Sequence, residues 1–159
     1  MSTFTVTFVL ADKGGVRKTF LAIHLFRYLQ SKGVKLKAVD ADLTYSPLAR
    51  RLPADDVVLF DVQEGQYLPG NPNGVDRIAQ LLEAKTNLLF DCGANTTAII
   101  RFIFEDLISL RDEIKRLGGK AVFILPTDGE EKTDFQADET IKAFQDWATV
   151  LVAKCLPGH

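Results

Sequence analysis

At 159 residues the chain has room for one domain with a substantial core and too little for two ordinary ones. Its composition, 47% hydrophobic and 25% charged, is that of a soluble globular protein, and a net charge of -2 supplies no global attraction to nucleic acid or acidic membranes. No apolar run reaches the ~18 residues that a membrane-spanning helix requires, and the N-terminus lacks the basic region and cleavage site of a secretory signal. Cys92 and Cys155 lie far apart without metal-ligand spacing, so the expectation is two reduced thiols in a cytoplasmic protein.

Phe4 to Leu10 is rich in β-branched and aromatic residues, as befits a strand buried on both faces of a parallel sheet. A glycine-containing loop follows, Asp12-Lys13-Gly14-Gly15-Val16-Arg17, and leads into Lys18-Thr19. From Thr19 the apolar positions Leu21, Ile23, Leu25, Phe26 and Leu29 recur at helical intervals, with Ser31-Lys32-Gly33 as a stop. Lys35 to Val39 reads as a second strand ending in Asp40-Ala41-Asp42, with both carboxylates on one face by two-residue periodicity. Leu43 to Pro53 reads as irregular, and Val57 to Val62 as a short strand.

The run from Tyr67 to Gly74 is dense in turn formers and precedes a helix carrying Val75, Ile78, Leu81 and Leu82. Asn87 to Phe90 is a short strand ending at Asp91-Cys92-Gly93. Asn95 caps a long helix whose apolar positions Ile100, Ile103, Leu107, Leu110, Ile114 and Leu117 alternate steps of three and four up to Gly118-Gly119. That face packs on the sheet or forms a dimer seam. Lys120 to Leu125 is a further strand, and the acids from Asp128 to Glu139 form a solvated loop and helix start, with Thr133 and Gln136 as a capping box. Ala137, Ile141, Phe144 and Ala148 mark the buried side of that helix, and Thr149 to Ala153 is the last strand. Strands alternating with helices specify an α/β fold of three layers, a doubly wound and mainly parallel sheet.

A strand, a glycine loop and a helix opening with Lys-Thr form the context of a phosphate loop, in which backbone N–H groups converge on phosphate oxygens. The general pattern is Gly, four residues, then Gly-Lys-Ser/Thr; here Asp12 and Arg17 stand at the two framing glycines.

Lys13-Gly14-Gly15-Val16-Arg17-Lys18-Thr19 resembles the deviant phosphate loop of the ParA/MinD family of ATPases, Lys-Gly-Gly-x-Gly-Lys-Ser/Thr, at all positions but Arg17. Asp40/Asp42 and Asp91 match that family's later acidic positions in order, so the resemblance runs from about Phe4 to Val152. Asp91-Cys-Gly-Ala-Asn and the small size are most similar to the short ParA-like proteins encoded with plasmid mobilisation and conjugation genes, the TraL/MobD/StbC group. The resemblance implies a single P-loop NTPase-like domain over residues 1–159. It further implies ATP and Mg²⁺ as cofactors, with Gly14, Gly15, Val16, Arg17, Lys18 and Thr19 around the phosphates. Thr19, Asp40 and Asp91 would hold Mg²⁺, Lys13 would reach into a partner's nucleotide in a homodimer, and Asp42 would orient the attacking water. Members of the family usually continue, past a point equivalent to His159, with elements that contact the nucleotide base.

The departures set two readings against each other. Arg17 replaces a glycine where a left-handed backbone costs a side-chain-bearing residue roughly 1–2 kcal/mol, although guanidinium is itself a good phosphate partner. Asp12 places a carboxylate near a triphosphate, a repulsion on the order of 4 kcal/mol per charge pair at about 4 Å and an effective dielectric near 20. One reading is therefore an ATPase accessory to plasmid mobilisation or partition. The other is a non-catalytic module that keeps the scaffold and binds a relaxase, mobilisation or partition protein. Direct DNA binding has little support, because Arg50-Arg51 and Lys35/Lys37 read as ordinary surface charge.

Overall fold

The computed structural model describes residues 3–10, 18–41, 47–60, 75–92, 110–127, 142, 145 and 148–154. Six strands, β1 (Thr5–Val9), β2 (Leu36–Asp40), β3 (Val57–Leu59), β4 (Asn87–Asp91), β5 (Lys120–Thr127) and β6 (Thr149–Lys154), form one sheet in the order β3-β2-β4-β1-β5-β6. Every pairing is parallel. The described helices are α1 (Lys18–Ser31), α2 (Pro47–Arg51), α3 (Val75–Glu83) and α4 (Leu110–Arg116), with a 3₁₀ turn at Ala54–Asp56. None of them is long and apolar enough to cross a membrane.

Strand alternation divides the core in two. On one face Phe4, Val6, Phe8, Leu88, Phe90 and Phe123 meet Ile78, Leu81 and Leu82 of α3 and Leu110 and Ile114 of α4. On the other, Val9, Leu36, Ala38 and Leu89 meet Ala22, Ile23 and Phe26 of α1 and Leu48 of α2. These are the three layers and the double winding expected. The centre of the first layer is an aromatic row: Phe8 faces Phe90 on β4 and Phe123 on β5 in register, with ring centroids 4.8 and 4.9 Å away. At the amino ends of the strands the Asn87 side chain joins β4 to β1 and to the residue before β2, accepting from Thr5 N at 2.9 Å and donating through Nδ2 to Lys35 O at 2.9 Å.

Three helices stop in the same way. Gly33 N bonds Gln30 O and Val34 N bonds Leu29 O after α1, and Gly118 and Gly119 repeat the pattern after α4. Gly33 and Gly118 have φ of 82° and 77°, the left-handed turn that glycine adopts without a Cβ penalty. After α3 the same turn falls on Lys85, φ 55°. On the exposed side of α3 and α4, Arg116 binds Glu113 at 2.7 Å and also Glu83, and the two carboxylates hold its guanidinium still more firmly protonated than usual.

Several sequence expectations are corrected. The stretch read as irregular contains α2, and Leu48 within it and Leu52 just after it, four residues apart, are both buried. β2 ends at Asp40 as expected, whereas β5 runs past the expected Leu125, on through Pro126 to Thr127. The turn-rich 67–74 loop, the Asn95 cap with Ile100, Ile103 and Leu107, the acidic run, the Thr133/Gln136 box, and Ala137, Ile141 and Phe144 lie outside the described residues.

Candidate functional site

The strand order creates one special edge. The chain leaves β1 for α1 on one face and returns from β4 through α4 on the other, so the carboxyl ends of the neighbouring strands β1 and β4 flank a topological switch point. Open α/β sheets bind ligands in the crevice at such a point. Here β1 ends at Val9, whose register partner is Asp91, the last residue of β4. Asp91 is in turn the register partner of Asp40, the last residue of β2.

Register partners on parallel strands have their pleats in phase, so Val9, Asp91 and Asp40 share one sheet face. It is the face of Val9, Ala38 and Leu89, which carries α1 and α2. Both carboxylates have 0% exposed surface. Their strand ends are also locked: Ala41 N donates to Asp91 O at 3.0 Å, Phe60 N to Asp40 O at 3.0 Å and Cys92 N to Val9 O at 3.3 Å. Cys92 falls on the opposite face, fully buried in the aromatic layer, as a core thiol.

Burying a carboxylate is costly unless donors or positive charge answer it. For Asp40 part of the answer is α2: Oδ2 accepts from Leu48 N at 3.1 Å and from Ala49 N at 3.3 Å. These are amides of the first turn, which have no partner within the helix. At the other end of α2, Arg27 of α1 donates through Nη2 to Arg51 O at 3.4 Å. A helix of five residues is too short to be stable alone, and it is held here at both ends by side chains from neighbouring elements. The cap was the feature sequence reasoning missed. Its one local sign was Pro47, suited to a first helical position, followed by Leu48 and Leu52 at helical spacing.

Of the residues singled out in the sequence, Asp40 and Asp91 are brought together, and Lys18 and Thr19 open α1 after β1. Lys13, Gly14, Gly15, Val16, Arg17 and Asp42 lie outside the described residues. Among the described residues no group of three or more His, Cys, Asp or Glu side chains forms a complete protein cage for a metal. Two hard carboxylate ligands suit a cation such as Mg²⁺, which keeps several waters and is commonly shared with substrate phosphates.

One family model matches residues 7–142, that of the CbiA family, described as the CobQ/CobB/MinD/ParA nucleotide binding domain. The match starts inside β1 and takes in α1, both acidic strand ends and β5. No curated protein gives a significant match to the chain.

Proposed function

The chain belongs to the CobQ/CobB/MinD/ParA nucleotide-binding family, and we propose that it acts there as a small cytoplasmic, ParA/MinD-like ATP-binding protein built as one domain over residues 1–159. The observation that carries the reading is the buried pair Asp40 and Asp91, in register beside the end of β1 and on the face of the sheet that carries α1. In this reading the loop from Gly14 to Thr19 surrounds the phosphates, Lys18 neutralises them, and Thr19, Asp40 and Asp91 hold Mg²⁺. The bound cation would offset the charge of the phosphates; the protein's own part is to position and to exclude water, which phosphoryl transfer needs more than covalent help. Lys13 serves a partner's nucleotide in a homodimer and Asp42 orients water, while Arg17 and Asp12 slow hydrolysis relative to a glycine-framed loop. The biological setting we propose is plasmid mobilisation or partition, as in the TraL/MobD/StbC group, with nucleotide state controlling contact with a relaxase, mobilisation or partition protein.

The test is ATP affinity, with and without Mg²⁺, of this chain and of Arg17→Gly. We expect Mg²⁺-dependent binding by both and faster turnover by Arg17→Gly. Absence of binding by both would remove the nucleotide reading. Asp12 and Arg17 favour a second reading, a non-catalytic scaffold that binds the same class of partner. It gains if Arg17→Gly leaves partner binding unchanged and nucleotide leaves the oligomeric state unchanged.

A further inference from the structure

The opening turn of α1 carries a feature that the core does not use. The buried side of the helix is Ala22, Ile23 and Phe26. Phe20, the third residue of α1, turns away from it and is 55% exposed. One turn on, His24 is also exposed and its ring centroid lies 4.2 Å from that of Phe20, with the planes tilted by 53°. Helical side chains lean toward the N-terminus, so Phe20 covers surface beside the end of the helix at which Lys18 and Thr19 stand. His24 backs the ring from the following turn and leaves its remaining surface to solvent.

We propose that Phe20, supported by His24, is the platform on which the base of the bound nucleotide stacks. The inference rests on the nucleotide reading above and adds the part of the ligand that the phosphate loop does not address. An aromatic platform reads the flat face of a base rather than its hydrogen-bonding edge, and every base has such a face. The platform therefore gives affinity with little discrimination: adenine and guanine nucleotides bind alike through it, and inorganic tripolyphosphate gains nothing from it.

Equilibrium titrations with Mg-ATP, Mg-GTP and Mg-tripolyphosphate, on the full chain and on Phe20→Ala and Phe20→Tyr, test this. At an exposed position these changes leave the thermal midpoint near that of the parent. Phe20→Ala is expected to weaken ATP and GTP to a similar extent, roughly tenfold, and to leave tripolyphosphate affinity unchanged, with Phe20→Tyr restoring nucleotide binding. The platform is overturned if Phe20→Ala binds ATP as the parent does, or loses tripolyphosphate in the same proportion. It is overturned too if Phe20→Ala weakens ATP and leaves GTP untouched. If the parent chain binds neither ATP nor tripolyphosphate, the nucleotide reading itself fails and takes the platform with it.

Discussion

Asp40 and Asp91 are register partners on adjacent parallel strands, each the last residue of its strand and each without exposed surface. Two carboxylates so placed repel one another unless positive charge stands between or beside them. If a divalent cation is that charge, the affinity of the chain for ATP depends on Mg²⁺, and the dependence runs through this pair. Asp91→Asn is expected to cut the Mg²⁺-dependent gain in ATP affinity roughly tenfold, as loss of one charge-assisted contact does. Titration of ATP at fixed Mg²⁺ and in a chelator reads it. An undiminished Mg²⁺ effect in Asp91→Asn would place the cation elsewhere.

Asp40 has a second duty, because its Oδ2 caps α2 through Leu48 N and Ala49 N. Asp40→Ala removes that acceptor and leaves two amides of a partly buried helix end unanswered, at an expected cost of about 1–2 kcal/mol in unfolding free energy. Asp40→Asn keeps a carbonyl oxygen that can accept and should lie between the parent and the alanine variant. Hydrogen exchange at Leu48 and Ala49 separates this local effect from global unfolding: both amides lose protection in Asp40→Ala while those of β1 and β4 keep theirs.

Much of this was legible from the chain, and the limits have physical causes. Strand ends at Asp40 and Asp91 could be read because a buried apolar run that meets a carboxylate has reached a sheet edge. That the two edges are neighbours could not, since the residues are far apart in sequence and only the β2-β4 pairing joins them. The helix α2 was obscured because five residues give little periodic signal and its ends are held by Asp40 and Arg27, which lie outside it in sequence. Glycine at 33 and 118 announced helix ends by conformation, whereas Gly119 is required by a neighbour that local reading does not reveal.

That neighbour is Phe4. A Cβ built on Gly119 would stand 2.5 Å from the Phe4 ring, which is 2% exposed and packed within the aromatic layer. Gly119→Ala forces the ring or the backbone aside, with an expected loss of about 1–3 kcal/mol measured by urea unfolding. Gly119→Ala in a Phe4→Leu background recovers part of that loss, because the atoms in conflict are gone; additive losses would show that the strain lies elsewhere.

Phe8 anchors the same layer, with Phe90 on one side and Phe123 on the other. Truncation to alanine empties the middle of a row that three strands share, and the expected cost is about 3–5 kcal/mol. A domain of ordinary stability has only about 5–15 kcal/mol in hand. Phe8→Leu, which keeps most of the volume, separates filling from stacking: its smaller loss, read in the same unfolding experiment, measures the offset ring contacts.

Lys85 offers the opposite sign. The three helix stops share one hydrogen-bond pattern, and at two of them the left-handed residue is glycine. At the third it is Lys85, φ 55°, with Lys85 N bonded to Leu82 O and Thr86 N to Leu81 O, both at 2.9 Å. A side-chain-bearing residue in this conformation costs about 1–2 kcal/mol relative to glycine. Glycine in turn makes the unfolded chain freer by about 0.4–1 kcal/mol. The difference favours Lys85→Gly, which should raise the unfolding free energy by up to about 1.6 kcal/mol. Lys85 has no ion pair among the described residues, so no charge contact is lost in exchange. Lys85→Ala controls for removal of the long side chain: it keeps the backbone penalty and should leave stability near that of the parent. A gain in Lys85→Ala equal to that in Lys85→Gly would trace the effect to the side chain instead of the turn.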